Sequence, residues 1–232
     1  MATNALVLST ARRANLNARK AQYVFGYGSL TARPGPAPTR ELKKHGFVAD
    51  LAGLQRTWGV AMDNRRDLPG YTYYTNPGGG RPAVFVAYLD LVAAPGAPEA
   101  AVNGVCLPVN GALLEVLDRR ERNYERVDVS DRLAAGATGG NGGVRVWAYL
   151  GSAAARERFA VGREAGTAVI DAGYVRTVEA GFAALGPAEH AACRPSLRPG
   201  GLPVLELTRH ELPGAVPVGH DHGHGQVHDR PR

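Results

Sequence analysis

Cysteine is nearly missing from this chain: 232 residues include only Cys106 and Cys193. That excludes a disulfide framework and a zinc cage built of thiolates. No apolar run approaches the roughly 18 residues that cross a bilayer as a helix, which excludes an integral helical membrane protein. Acid is absent from residues 1–40; the first acidic residue is Glu41. Of 27 bases, six (Arg12, Arg13, Arg19, Lys20, Arg33 and Arg40) precede it, and the remaining 21 meet 21 acids. The net charge of +6 therefore belongs to one stretch. It is not the basic patch on a folded body that nucleic acid requires. Histidine is scarce before the C-terminus: five of seven are His210, His220, His222, His224 and His228, leaving His45 and His190. With no G-x-S-x-G elbow either, a serine hydrolase has no identifiable base. No G-x-G-x-x-G and no P-loop signature occurs, so no nucleotide cofactor is expected.

What remains is 44% hydrophobic and 21% charged, enough for a packed core. Residues 1–21 lack the long apolar region of a secretory signal. Their lack of acid resembles a transit peptide, but they are read as a flexible basic leader. Short β-like runs follow at Tyr23–Tyr27, Phe47–Leu54, Trp58–Met62, Ala83–Leu89, Val102–Val109, Val127–Val129 and Val144–Leu150. A Pro-rich loop (Pro34, Pro36, Pro38), a Gly/Pro/Asn loop over 64–82 and a Gly-rich loop over 135–143 separate them. Residues 111–124 read as a helix. From about 153 the chain reads helical, with Tyr174, Val175, Val178, Phe182 and Leu185 at the spacing of one docked amphipathic helix. Regular βαβ alternation is absent. The expected class is α+β: a small mixed or antiparallel β-barrel flanked by helices, over residues 22–187. Residues 188–232 are a Pro/Gly/His-rich C-terminal extension. The tract His220-Asp221-His222-Gly223-His224 is read as low complexity, with no metal assigned. Cys106 is read as core packing.

Two local features carry possible chemistry. On the 111–124 helix, with Leu113 at zero, Tyr124 falls near 20°, Leu117 near 40°, Glu121 near 80° and Leu114 near 100°. Glu115, Arg119 and Arg122 take the opposite side. One carboxylate thus faces the apolar stripe. A buried carboxylate is unfavourable by several kcal/mol unless paired or protonated. Either Glu121 pairs with Arg120 or Arg126 at the edge of the stripe, or it is a general acid/base with a raised pKa. The second feature is Tyr27-Gly28-Ser29-Leu30, where a strand ends in Gly-Ser. Such a turn lets backbone N–H groups approach a carboxylate or oxyanion. It is equally the form of an ordinary strand-ending turn.

Together, Tyr23-Val24-Phe25-Gly26-Tyr27-Gly28-Ser29-Leu30 and, about 90 residues on, Leu117-Asp118-Arg119-Arg120-Glu121 resemble the γ-glutamylcyclotransferase family. The YGSL form and Glu121-Arg122-Asn123-Tyr124 look closest to its ChaC-type branch. Fainter echoes are Leu54-Gln55-Arg56-Thr57-Trp58, Val102-Asn103-Gly104-Val105 and Trp147-Ala148-Tyr149, and the resemblance covers roughly residues 22–187. It implies a small β-barrel flanked by helices, a cytoplasmic enzyme without cofactor or metal, and release of 5-oxoproline from a small γ-glutamyl substrate. It implies Glu121 as the catalytic acid/base. It places the γ-glutamyl group on Phe25, Gly26, Tyr27, Gly28, Ser29 and Leu30, with Tyr174 as a further substrate contact. Thr31-Ala32-Arg33-Pro34 stands where ChaC-type chains usually carry a Trp, which leaves the released amine open. The alternative is a γ-glutamyl-binding or interaction protein of the same fold without turnover. Tyr71-Thr72-Tyr73-Tyr74 is read as a solvent-facing turn, with a place in the leaving-group pocket as the other reading.

Overall fold

The computed structural model describes residues 21–32, 46–97, 99–134 and 143–212. The leader, the Pro-rich loop, most of the 135–143 loop and the His220–His224 tract lie outside the described residues.

Alternating burial marks the strands over Phe47–Ala52, Leu54–Asp63 and Thr72–Thr75, whereas those over Phe85–Ala93 and Ala101–Val109 are buried along most of their length. β1 (Gln22–Gly26), β2 (Phe47–Ala52), β6 (Ala101–Val109), β7 (Tyr124–Asp128) and β8 (Arg145–Gly151) form a five-stranded sheet in the order β2-β6-β1-β8-β7. The β1–β8 pair is parallel and the others antiparallel, so the sheet is mixed. A second sheet has the order β10-β9-β5-β3, from β3 (Leu54–Asp63), β5 (Phe85–Ala93), β9 (Ala168–Asp171) and β10 (Val204–Leu205). A two-stranded ribbon pairs β4 (Thr72–Thr75) with β11 (Thr208–Glu211). Four helices complete the fold: α1 (Gly111–Arg120), α2 (Ala153–Glu164), α3 (Ala172–Leu185) and α4 (Pro187–Cys193).

The core lies between the two larger sheets. Phe25, Leu51, Cys106 and Val146 come from the first, and Trp58, Leu89, Leu91 and Ile170 from the second. Val178 and Phe182 of α3 join the same cluster. Burial of this apolar area is the main stabilising term. Cys106 is fully buried there, and its apolar setting pushes the thiol up to about 12.

The α+β class stands. The expected barrel is not closed: among the described residues no strand ladder joins the two sheets into a ring. β2 runs directly into β3, but β3 turns away to pair with β5. Three local expectations need correction. First, the 64–82 segment is not wholly loop. Buried Asn64 donates to the Tyr74 and Pro82 carbonyls and accepts from the Tyr74 N–H, which lays β4 down for pairing with β11. Second, the helical stretch from 153 is broken. Gly166 turns at φ +65°, a conformation that favours glycine, and four buried residues then run as β9 parallel to β5. So short a buried strand carries no readable period. Third, α1 stops at Arg120, and Glu121 is its C-cap. The helix α4 starts at Pro187, and residues 188–212 of the extension supply the rest of it with β10 and β11 against the body.

Candidate functional site

The parallel β1–β8 pairing brings the end of β1 against the core, and residues 27–32 leave it as a tight 3-10 turn over Ser29–Thr31. Thr31 closes the turn twice on the Gly28 carbonyl, through its N–H at 2.9 Å and its hydroxyl at 2.6 Å. Helix α3 lies directly on this turn. A Cβ at Gly181 would stand 2.5 Å from the Thr31 hydroxyl oxygen and the Ala32 nitrogen, so only glycine permits the approach.

Asp171 starts α3 by accepting from the N–H groups of Gly173 (3.1 Å) and Tyr174 (3.0 Å). That cap fixes Tyr174 in the first helical turn. Its ring meets Tyr88 edge-on at 5.1 Å and Trp58 at 5.9 Å. Its hydroxyl lies over Gly28, 2.9 Å from where a Cβ would be.

Glu121 arrives from the other side. Asn110 caps α1 by accepting from the Leu113 N–H at 2.9 Å, and Leu114 and Leu117 bury the helix. The helical bonds end with the Glu121 N–H on the Leu117 carbonyl, and the Tyr124 N–H then bonds the Glu121 carbonyl. The carboxylate is inward, as the helical wheel gave, but the turn at the helix end aims it. Its side chain is only 15% exposed, with Arg120 at 3.4 Å; Arg126 pairs instead with Asp118. Burial pushes the Glu121 pKa above the usual carboxylate range, and the Arg120 guanidinium pulls partly against it.

Tyr27, Gly28, Ser29, Leu30, Leu89, Glu121, Tyr124, Tyr149 and Tyr174 enclose a recess of about 30 Å³. It adjoins a cleft of about 1030 Å³, and Ser29, Glu121, Tyr124 and Tyr174 line both. Six of the eight expected site residues thus meet in one place. Phe25 and Gly26 do not line it. Phe25 is fully buried in the core, and Gly26 packs under Leu30. Both belong to β1 and pack within the sheet, and the chain leaves the sheet only beyond Gly26.

The solvent-facing reading of 71–74 is corrected. Tyr71, Thr72 and Tyr74 line the cleft, and Tyr74 is 2% exposed. The Tyr74 and Tyr88 hydroxyls meet at 2.9 Å. Tyr88, Arg176 and Arg209 also line the cleft and were not singled out; Arg120 and Tyr124, which line it too, were named only as an ion-pair partner and a stripe residue. Tyr124 was legible as part of the apolar stripe. Tyr88 carried no signal beyond strand composition.

A raised carboxylate pKa has a stability consequence. The folded state binds the Glu121 proton more tightly than the unfolded chain. Stability is therefore lost as pH rises from the ordinary glutamate value through the raised one. Glu121→Gln is expected to melt higher than the parent at pH 7 and equal to it at pH 4 or below, near the unfolded value. Calorimetry at the two pH values checks this; a gap of equal size at both would disprove the linkage.

No family model matches the chain, and no curated protein matches it. Among solved structures it is similar to YkqA from Bacillus subtilis, at 15% identity and a TM-score of 0.47, over 84% of this chain and 60% of that one. The chain thus spans 60% of the length of YkqA. It is also similar to a gamma-glutamyl cyclotransferase at 14% identity and TM-score 0.45, covering 75% and 87% of the two chains. A third is the yeast gamma-glutamyl cyclotransferase specific to glutathione, at 14% identity and TM-score 0.43, covering 77% and 98%.

Proposed function

We propose that the protein is a γ-glutamylcyclotransferase: it cyclises a γ-glutamyl amide to 5-oxoproline and frees an amine. The observation that carries this is the placement of the Glu121 carboxylate, buried and raised in pKa, in the recess that Tyr27-Gly28-Ser29-Leu30 lines. Two motifs about 90 residues apart share one cavity, in the combination the sequence resemblance implies.

In the reaction, the substrate's α-amino nitrogen attacks its own γ-carbonyl carbon. A C–N bond closes the five-membered ring, and the amide C–N bond to the leaving group breaks. Both partners belong to one molecule, so catalysis is chiefly orientation and proton handling; orientation can be worth up to about 7–11 kcal/mol. The α-ammonium must lose a proton to attack. Glu121 takes it and returns a proton to the leaving nitrogen. A group with an ordinary glutamate pKa would be a weaker base, and burial raises this one toward the task. Backbone N–H groups near Gly28 and Ser29 hold the glutamyl carboxylate or the developing oxyanion. The carboxylate end enters the narrow recess, and the released amine leaves through the wide cleft. The catalytic body is residues 22–187, with β11 of the extension forming part of the cleft wall. The two free, buried thiols are in keeping with a cytoplasmic site of action.

Incubation with glutathione and a panel of γ-glutamyl amino acids and amines, with 5-oxoproline measured, tests the reading. Release from at least one is expected. No release and no binding of any γ-glutamyl ligand by folded protein would overturn it. Tyr174→Phe removes a hydroxyl that lies over Gly28. It is expected to raise KM by roughly tenfold or less, the worth of one neutral hydrogen bond, with kcat little changed. A fall in kcat at unchanged KM would instead give Tyr174 a part in proton transfer.

A further inference from the structure

A second cavity, of about 240 Å³, shares no lining residue with the Glu121 cleft. Its walls come from β3 (Arg56, Thr57, Trp58), from α2 (Phe159, Arg163) and from the turns around Ser196 and Arg198 that follow α4. Three arginines and no acid line it. Elsewhere on this protein surface arginine and carboxylate occur in pairs, as Arg176 with Glu206 at 2.6 Å and Arg145 with Asp128 at 2.8 Å. Among the described residues, none of Arg56, Arg163 and Arg198 has a carboxylate within ion-pair distance.

Arg56 is the anchor. It is 8% exposed, and burial lowers its pKa. Its guanidinium lies 4.6 Å over the Phe182 ring and donates to the Ser196 hydroxyl at 3.1 Å and to the Asn103 carbonyl. Asn103 in turn donates to the Glu189 carboxylate at 2.8 Å, so that acid is one residue removed from the arginine. The Arg56 Nε–H is buried and has no partner. A buried guanidinium without a carboxylate is an unfavourable arrangement unless an anion completes it. Arg163 and Arg198 bring two exposed guanidinium groups to the same cavity. Arginine forks match the oxygens of a phosphate, often two at a time.

We propose that this cavity is an anion-binding site that takes the phosphate group of a small soluble ligand. Three guanidinium groups suit a dianionic phosphate better than a single carboxylate. Trp58, Phe159 and Leu202 offer apolar wall to the rest of the ligand. Trp58 reports occupancy. It is 7% exposed, lines the cavity, and its indole N–H is held by the Arg198 carbonyl at 3.1 Å.

The test uses the full chain, with inorganic phosphate and pyrophosphate as probes and chloride at matched ionic strength as control, since exposed charges are screened by salt. Binding is read by tryptophan fluorescence and by calorimetry. Saturable binding of phosphate or pyrophosphate is expected. The Arg163→Ala/Arg198→Ala double variant is expected to bind at least about tenfold more weakly with an unchanged melting curve, because it loses charge-assisted hydrogen bonds to the anion. Both side chains are exposed, so the variant retains the core; the single Gln variants stand in if it does not fold. No saturable signal into tens of millimolar probe would overturn the proposal. Equal binding by the folded double variant would do the same, because the anion would then sit elsewhere on this basic chain.

Discussion

Glu121→Gln is expected to lower kcat for 5-oxoproline release by about 10²–10⁴-fold and to leave KM within a few-fold. Gln keeps the shape of the side chain and its ability to hydrogen-bond, but it cannot accept the α-ammonium proton. The recess wall and the Tyr27–Leu30 turn are untouched, because Thr31 and α3 hold that turn without help from Glu121. Steady-state kinetics on whichever γ-glutamyl compound turns over, with calorimetric binding of a γ-glutamyl ligand to the inactive variant, reads both quantities. A variant that cycles at the parent rate would remove Glu121 from the mechanism. A variant that loses binding as well would make the carboxylate a recognition group instead. The pH profile offers a second view: with the Glu121 pKa raised, kcat/KM is expected to fall on the acid side at a pH above the ordinary glutamate range.

Asp90→Ala is expected to destabilise the fold by roughly 3–5 kcal/mol, a melting shift of about 10 °C for a chain this size. Asp90 is fully buried in β5. Its carboxylate accepts from the backbone N–H of Gly151 at 2.7 Å and of Leu91 at 2.8 Å, and from Arg156 at 2.7 Å. It therefore ties β5, an inner strand of the second sheet, to the last residue of β8 in the first. Gly151 leaves no room for a side chain: a Cβ there would clash with the Val60 Cγ1 and lie 2.6 Å from the Asp90 carboxylate. Removal strands two buried N–H donors, each worth about 1–3 kcal/mol when unsatisfied. Arg156 is 43% exposed and rehydrates, so it adds little to the loss. The neighbouring Leu89 carbonyl accepts from the Tyr124 hydroxyl at 2.8 Å beside Glu121, so the loss also loosens the site. Thermal melting checks this, with Asp90→Asn as comparison because both N–H groups share one carboxylate oxygen, and the Asn carbonyl oxygen can still accept from both. A shift of only a degree or two for the alanine variant would show that water or another group takes over the two N–H bonds.

The site was legible to unequal depth. The Tyr27–Leu30 turn and Glu121 could be picked out because each breaks a local rule. One ends an apolar strand in Gly-Ser, and the other sets a carboxylate among leucines. Tyr174 was named as a substrate contact by the family resemblance alone; its helical spacing said only that it belongs to a docked helix. The inward aim of Glu121 came out of helical geometry that does not apply to it, since the helix stops one residue earlier. The direction survived because the C-cap residue still follows Leu117 in space. Phe25 and Gly26 were carried along by adjacency to the turn, and the strand places both in packing instead. Tyr71, Tyr74 and Tyr88 reach the cleft through a loop, a ribbon strand and a sheet strand, three contexts that look alike as tyrosines in a sequence.

By itself the sequence determined the α+β class, most of the strands of the two large sheets, and the two motifs that line the recess. Those are local matters: period, turn residues and one carboxylate on an apolar stripe are written within a dozen residues. Tertiary structure alone decided that the sheets stay open, that β4 and β11 pair, and that Gly181 lets α3 rest on the Ser29 turn. It alone raised the Glu121 pKa and gathered Arg56, Arg163 and Arg198 around one cavity. Burial and charge proximity depend on which distant residues close around a group, and the spacing of residues along a chain does not encode that distance.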